Sequence, residues 1–265
     1  MTVDPPILIA ELLRSIASSR LELVDLTSTL RGSTPIMTLP DPFASQSGFV
    51  LEQLSRYDEH GPGWYHNNIH TGEHSGTHLD APIHWLSGKE GRDVASIPLD
   101  RLIGPACVID VREQVDADPD FLLQRHHVEE WEARHGQLQP GSWLLLRTGW
   151  DRYSDDQEAF VNADENGPHS PGVSGECALW LAEERPISGF GADTLGIDAG
   201  RAGEFDPPFP MHNHLLGHDK YGITSLQNLS RLPETGALLI VAPLRIEGGS
   251  GSPARVIALT PADSA

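Results

Sequence analysis

Six of the chain's thirteen histidines fall between His60 and His84, and the densest stretch reads His74-Ser75-Gly76-Thr77-His78-Leu79-Asp80-Ala81-Pro82-Ile83-His84. Imidazole nitrogens and a carboxylate oxygen are the borderline donors that suit Zn2+, Mn2+ or Fe2+. Three protein ligands, His74, His78 and Asp80, leave coordination positions open for water and substrate, which is how catalytic rather than structural metal sites are built. No cysteine lies nearby, and that also points away from a structural zinc. A histidine taken singly is more often a structural residue than a ligand. It is the H-x-x-x-H-x-D spacing with a glycine in its gap that lifts these three above that background.

The spacing also constrains the backbone. On a straight strand His74 and Asp80 would lie roughly 20 Å apart, at about 3.3 Å per residue. On a straight helix His74 and His78 share a face, but Asp80 points away from it, and Pro82 resists continuation. Neither reaches ligand distances of about 2.0–2.2 Å. The chain must bend between the two histidines, and Gly76 is the residue that permits it. The reading is a kinked loop, not a regular element.

The elements that must carry this loop are legible in part. Asp4-Pro5-Pro6 followed by Ile7, Leu8, Leu12, Leu13 and Ile16 predicts a capped amphipathic helix over 5–19. Strands are predicted at Leu23–Leu26, Ala106–Val111, Trp143–Arg147, Ile187–Ala192, Leu238–Val241 and Val256–Leu259. Residues 28–72 read as mainly loop with short strands. Helices are predicted over 126–135 and over Ser174–Glu184, with Ser174 as the cap of the latter, and a helical turn around Pro210–Leu216. Residues 151–172 read as a long polar excursion. There is no repeat, and the mixed order of elements favours a strand-rich α/β or α+β domain.

The 265 residues suffice for one substantial core. Hydrophobic residues make up 38% and charged residues 21%, so the chain reads as globular, and its 26 glycines and 21 prolines imply many turns. A net charge of -20 repels phosphate backbones and anionic lipid heads, which argues against nucleic-acid and membrane partners. Cys107 and Cys177 make no disulfide framework and no C-x-x-C pair, as expected for thiols in a reducing compartment. The N-terminal apolar stretch is short, lacks a basic flank and is broken by Glu11, unlike a signal peptide. A cytoplasmic enzyme is the expectation.

His74 to His84 matches the H-x-G-T-H-x-D-x-P-x-H motif of the cyclase-like metal hydrolases, which include the bacterial kynurenine formamidases and the isatin hydrolases. Further landmarks occur in family order: Leu146-Arg147-Thr148-Gly149, Gly191-Ala192-Asp193-Thr194, His212 with Leu215-Leu216, Leu226-Gln227-Asn228-Leu229, and Gly251-Ser252-Pro253-Ala254-Arg255. The resemblance implies a single domain over 1–265: a strand-rich mixed sheet or barrel-like core with flanking helices, of the swivelling β/β/α type. It implies that His74, His78 and Asp80 hold the first metal and that His84 transfers protons. In two-metal formamidases a second ion is held by a histidine, matched here by His212, and by a glutamate two residues before Leu226. Thr224 stands at that glutamate's position and Ser225 follows, so one divalent ion per chain is expected.

That loss, together with Met211 to Leu216, is more similar to the isatin hydrolases, which implies Mn2+, with Zn2+ as the alternative. The implied reaction opens the lactam of isatin to isatinate by attack of water activated at the metal. Trp64 and Trp85 flank the motif and are candidate walls for a small aromatic amide substrate, though each reads equally well as core. His212 and His214 are candidates to contact substrate oxygens, and Ser225 to hold a water. The family implies a homodimer. Two other readings are a kynurenine formamidase and, because His78-Leu79-Asp80 is an H-x-D pair, a non-haem iron oxygenase.

Overall fold

The structure is a computed structural model that describes residues 5–38 and 42–262. Helix α1 (Pro5–Ala17) stops two residues short of the expected end, and Asp4, its expected cap, lies outside the described residues. Strands β1 (Leu21–Asp25), β2 (Val50–Arg56), β3 (Tyr65–His70) and β4 (His78–Asp80) follow. Next come β5 (Ile103–Asp110), helix α2 (Arg112–Ala117), β6 (Leu122–Leu123), helix α3 (Arg125–His135) and β7 (Trp143–Arg147). The second half holds α4 (Gln157–Val161), the short strands β8 (Ala163–Asp164), β9 (Gly167–Pro168) and β10 (Gly172–Val173), and helix α5 (Gly175–Glu184). It closes with β11 (Gly189–Ala192), β12 (Tyr221–Thr224), β13 (Ala237–Pro243) and β14 (Gly251–Pro261).

The main sheet runs β1-β14-β13-β5-β7-β11-β12-β4, and β4 pairs back onto β14. Seven strands therefore close into a barrel, and β1 adds to the outside edge of β14. Strands β5, β7, β11 and β12 are parallel neighbours, while β13, β14 and β4 join them antiparallel. Alternation of side chains along each strand builds two apolar layers. Trp143 and Leu145 of β7 point inward with Leu79, Tyr221, Ile223 and Val256. Leu144 and Leu146 point outward, onto Trp131 of α3 and Trp180 and Leu181 of α5. Being buried on both faces is what makes β7 a continuous apolar run.

Helix α5 starts where expected, with the Ser174 hydroxyl accepting the Cys177 N–H at 3.3 Å. Its buried side chains, Cys177, Ala178, Leu181 and Ala182, recur at helical spacing. Its C-terminus is held by a buried ammonium. Lys220 donates to the carbonyls of Leu181, Ala182 and Arg185, and burial, then the Arg101 charge, pushes its pKa down to about 8.

Two parts of the architecture have no counterpart in the periodicity. Strand β12 is only four residues long, and a short apolar run does not distinguish strand from loop. Residues 28–72 contain a two-stranded hairpin, β2–β3, with a bulge between Gln53 and Ser55, that pairs with no strand of the barrel. The excursion over 151–172 holds α4 and the small β8–β9 hairpin.

Candidate metal centre

The expected bend is present between His74 and His78. Gly76 has φ +58°, and a Cβ there would stand 2.8 Å from Leu30 Cδ2 and 2.9 Å from Ser28 Oγ. The bend fills the gap between the two histidines, and from His78 to Asp80 the chain is regular strand. Leu79 points into the barrel core, fully buried. His78 and Asp80 therefore share the outer face of β4, two residues apart. The bend brings His74 back to them, and one donor atom from each of the three residues lies within 4.8 Å of the others.

Long-range contacts hold the bend. Thr77 Oγ1 donates to the Ser225 carbonyl at 2.7 Å and accepts the Ser28 N–H at 2.8 Å. Gln46 Nε2 donates to the His74 carbonyl at 2.5 Å. Strand β14 passes so close that a Cβ on Gly251 would lie 2.5 Å from His74 Cε1 and 2.7 Å from the Leu79 carbonyl. Glycine is required there by close approach.

The hydrogen bonds behind the rings decide what faces the centre. Ser250 Oγ donates to Glu73 at 2.6 Å and lies 2.9 Å from His74 Nε2, so Nε2 carries the proton and donates to it. His78 Nδ1 donates to the Gly76 carbonyl at 2.8 Å. His212 Nδ1 donates to Asp198 at 2.5 Å. Each ring then turns its other nitrogen toward Asp80. His74 Nδ1 is 2.8 Å from Asp80 Oδ1, His78 Nε2 is 3.4 Å from it, and His212 Nε2 is 3.8 Å from Asp80 Oδ2. Asp80 Oδ2 is buried and has no hydrogen-bond partner. Imidazole nitrogens converging on a buried carboxylate make a donor set that could hold a metal ion, and backing of the imidazoles by acceptors is what metal ligands receive. The residues present fit a divalent ion.

The electrostatics agree. Burial would raise the Asp80 carboxyl, but the His78 charge and hydrogen bonds from His74 and His78 hold it well below the usual carboxylate range. His84 stacks on His74 with ring centroids 3.9 Å apart. Burial, with the neighbouring imidazoles, outweighs Asp80 and pushes its pKa down to about 3, so His84 is neutral at neutral pH. Burial would also lower His212, yet its bond to Asp198 and the charges of Asp198 and Asp80 raise it.

Several of the remaining expected residues gather here and two do not. Trp85 lies against His212 at 4.9 Å between ring centroids and against Phe209 at 5.5 Å. Trp64 sits at the end of the β2–β3 hairpin, 53% exposed, and no ring contact joins it to the cluster. The π-helical turn His212–Leu216 turns His214 away from His212, because residues two apart on a helical turn face opposite sides. The His214 carbonyl accepts from His218, and no hydrogen bond or ring contact of its side chain reaches the cluster. Ser225 is buried with φ +53°, and its carbonyl accepts from Thr77. Thr224 takes the place beside His78, with Oγ1 3.0 Å from Nδ1.

Sequence reasoning did not single out Asp198, Ser250, Glu73 or Phe209. Asp198, Ser250 and Phe209 carry no spacing signal, since each reaches the site from a distant segment, while Glu73 adjoins His74 but lies outside the motif. Phe209, lodged between prolines in Pro207-Pro208-Phe209-Pro210, adopts φ +53°, a backbone region costly for a bulky side chain.

A closed barrel bearing two imidazoles and a carboxylate whose donor atoms lie within 4.8 Å of one another defines an enzyme with a candidate metal site. The chain belongs to the cyclase family, whose model, described as "Putative cyclase", matches residues 24–199, and it is a hydrolase. It is 47% identical over 247 residues to the isatin hydrolase of Roseibium aggregatum, covering 92% of this chain and 94% of that one. A kynurenine formamidase of Salinibacter ruber is 27% identical, covering 69% and 74%. Among solved structures, an isatin hydrolase bound to the product analogue thioisatinate superposes with a TM-score of 0.95 at 42% identity, covering 98% of this chain and 100% of that one.

Proposed function

We propose that this protein opens the lactam ring of isatin to give isatinate, using one divalent ion per chain, Mn2+ by preference and Zn2+ as the alternative, held by His74, His78 and Asp80. The observation that carries the reading is the convergence of three imidazole nitrogens on Asp80 beside the Trp85–Phe209 wall. The similarity to isatin hydrolases over nearly the whole chain supports the substrate. Thr224, in place of an acid next to His78, supports a single ion.

Such an ion, when bound, polarises a carbonyl and lowers the pKa of water toward neutrality. The chain's own residues do the rest. Trp85 and Phe209 offer an apolar wall to a flat ring. His84, neutral at neutral pH, takes a proton from the attacking water. As oxygen adds to the amide carbon and the carbon–nitrogen bond breaks, His84 returns that proton to the departing aryl nitrogen. The new acid ionises, and isatinate leaves as an anion. Asp80, buried and ionised, keeps the centre anionic enough to retain a cation.

The partners we assign are a small aromatic amide and a second copy of the chain, with no nucleic acid or membrane surface. Among the described residues no helix is long and apolar enough to cross a membrane. Two free, buried thiols support the cytoplasm. The β2–β3 hairpin supports the homodimer, because an isolated hairpin is marginal in water and this one exposes Val50, Leu51, Trp64 and Ile69.

The test is elemental analysis of purified protein paired with turnover of isatin against N-formylkynurenine. One equivalent of metal per chain and a preference for isatin are expected. Preferential turnover of the formamide would move the protein to the formamidases, and a metal-free, inactive preparation that no divalent ion restores would end the reading.

A further inference from the structure

Asp198 follows β11 and is almost wholly buried. Its carboxylate touches one short segment three times. Oδ1 accepts the Met211 N–H at 2.8 Å, and Oδ2 accepts the His212 N–H at 3.1 Å and His212 Nδ1–H at 2.5 Å. On the other side of the ring, Nε2 looks across 3.8 Å to the partnerless Asp80 Oδ2. Two carboxylates thus compete for the proton of one imidazole, and the nearer, better-aligned one holds it.

We infer that Asp198 is a positioning residue: it locks His212 in the tautomer protonated on Nδ1, so that Nε2 faces the metal centre as a hydrogen-bond acceptor. This rests on the reading of the site as catalytic, and it reverses the expectation that His212 contacts substrate oxygens. In that neutral form the ring has no proton on Nε2 to give a substrate carbonyl. It accepts from a group that carries hydrogen, the attacking water or an amide N–H. Without Asp198 the proton is free to move to Nε2, where Asp80 Oδ2 accepts it, and the acceptor facing the cleft disappears.

The loop that carries Asp198 is rigid enough for this duty. A Cβ on Gly172 would stand 2.3 Å from Ala199 N, and one on Gly200 would stand 2.4 Å from the Pro168 carbonyl. The excursion over 151–172 therefore packs directly against the residues after Asp198. Gly200 N–H also donates to the Ser170 carbonyl at 3.0 Å.

The test uses zinc-loaded protein, which is diamagnetic, and reads the His212 tautomer by 15N–1H correlation, with His212→Gln to assign the signal. The wild type should show Nδ1–H. Asp198→Asn keeps the shape of the side chain but offers one acceptor to three donors. It should populate the Nε2–H form and lower kcat for isatin about 100-fold, the range seen when groups behind metal-site histidines are lost, with zinc content and thermal midpoint little changed. Asp198→Glu, which keeps the charge, should recover part of both signals. An Nε2–H or doubly protonated ring in the wild type overturns the inference, whether or not any variant folds. A fall in kcat with an unchanged tautomer also overturns it, since Asp198 would then only anchor the turn. Absence of isatin turnover in the wild type would instead count against the proposed substrate, while the tautomer reading still decides Asp198.

Discussion

Asp80 offers one oxygen to His74 at 2.8 Å and leaves the other buried without a partner. An uncompensated buried carboxylate oxygen is costly, and a cation resolves the cost. Asp80→Asn removes the anion while preserving the shape. Purified Asp80→Asn protein should carry far less than one equivalent of metal by elemental analysis, and retention of a full equivalent would remove Asp80 from the ligand set. His84 makes the opposite prediction. It stacks on His74 without donating to Asp80, so His84→Ala should keep its metal while turnover falls by about 100-fold or more, the usual scale of a lost acid–base group. Surviving turnover would assign proton transfer elsewhere.

A strand–bend unit supplies the ligands, and strand β14 confines it. Gly251 is the point of closest approach. Gly251→Ala should destabilise the fold by about 1–3 kcal/mol, the typical cost of overpacking, and weaken metal binding because His74 must move. Chemical denaturation and metal titration of the same variant would check both. The excursion over 151–172 is stapled differently. His169 Nδ1 lies 2.6 Å from Asp120 and its Nε2 3.1 Å from Asp164, with Arg201 also near these carboxylates. The hydrogen bond to Asp120, then that to Asp164, raises the His169 pKa above its ordinary value. A raised histidine stabilises below the unfolded value of about 6.5 and loses that contribution as pH rises through the folded value. Proteolytic nicking of 151–172 should therefore accelerate as pH rises from about 6 to about 9. His169→Gln should flatten that dependence, and an unchanged pH profile in the variant would discount the staple.

At the scale of the whole molecule, exposed apolar residues collect on the β2–β3 hairpin and on α1. Leu51 and Ile69 are directly opposed across the β2–β3 hairpin, and both are more than half exposed. Ile7, Leu8, Ile9 and Leu13 of α1 are exposed as well. Exposed apolar groups in this density are rare on monomers. Light scattering should give twice the chain mass, and Leu51→Glu with Ile69→Glu should halve it. A wild-type monomer would leave the hairpin unexplained.

The His74–His78–Asp80 cluster, the bend at Gly76, the Ser174 cap and the longer barrel strands were legible because each depends on spacing within one segment, where backbone geometry and side-chain period leave few choices. Trp64 looked as eligible as Trp85, and His214 as eligible as His212, because sequence proximity carries no direction. Tertiary structure separated them by placing Trp64 on a hairpin outside the barrel and turning His214 to the far side of a π-helical turn. It also brought Ser250 behind His74 from 176 residues away and Thr224 beside His78 from 146 residues away. Those meetings depend on the registers of β4 against β14 and β12, which close the barrel. A register is set by how a whole set of apolar faces packs together, so it belongs to no single stretch of the chain.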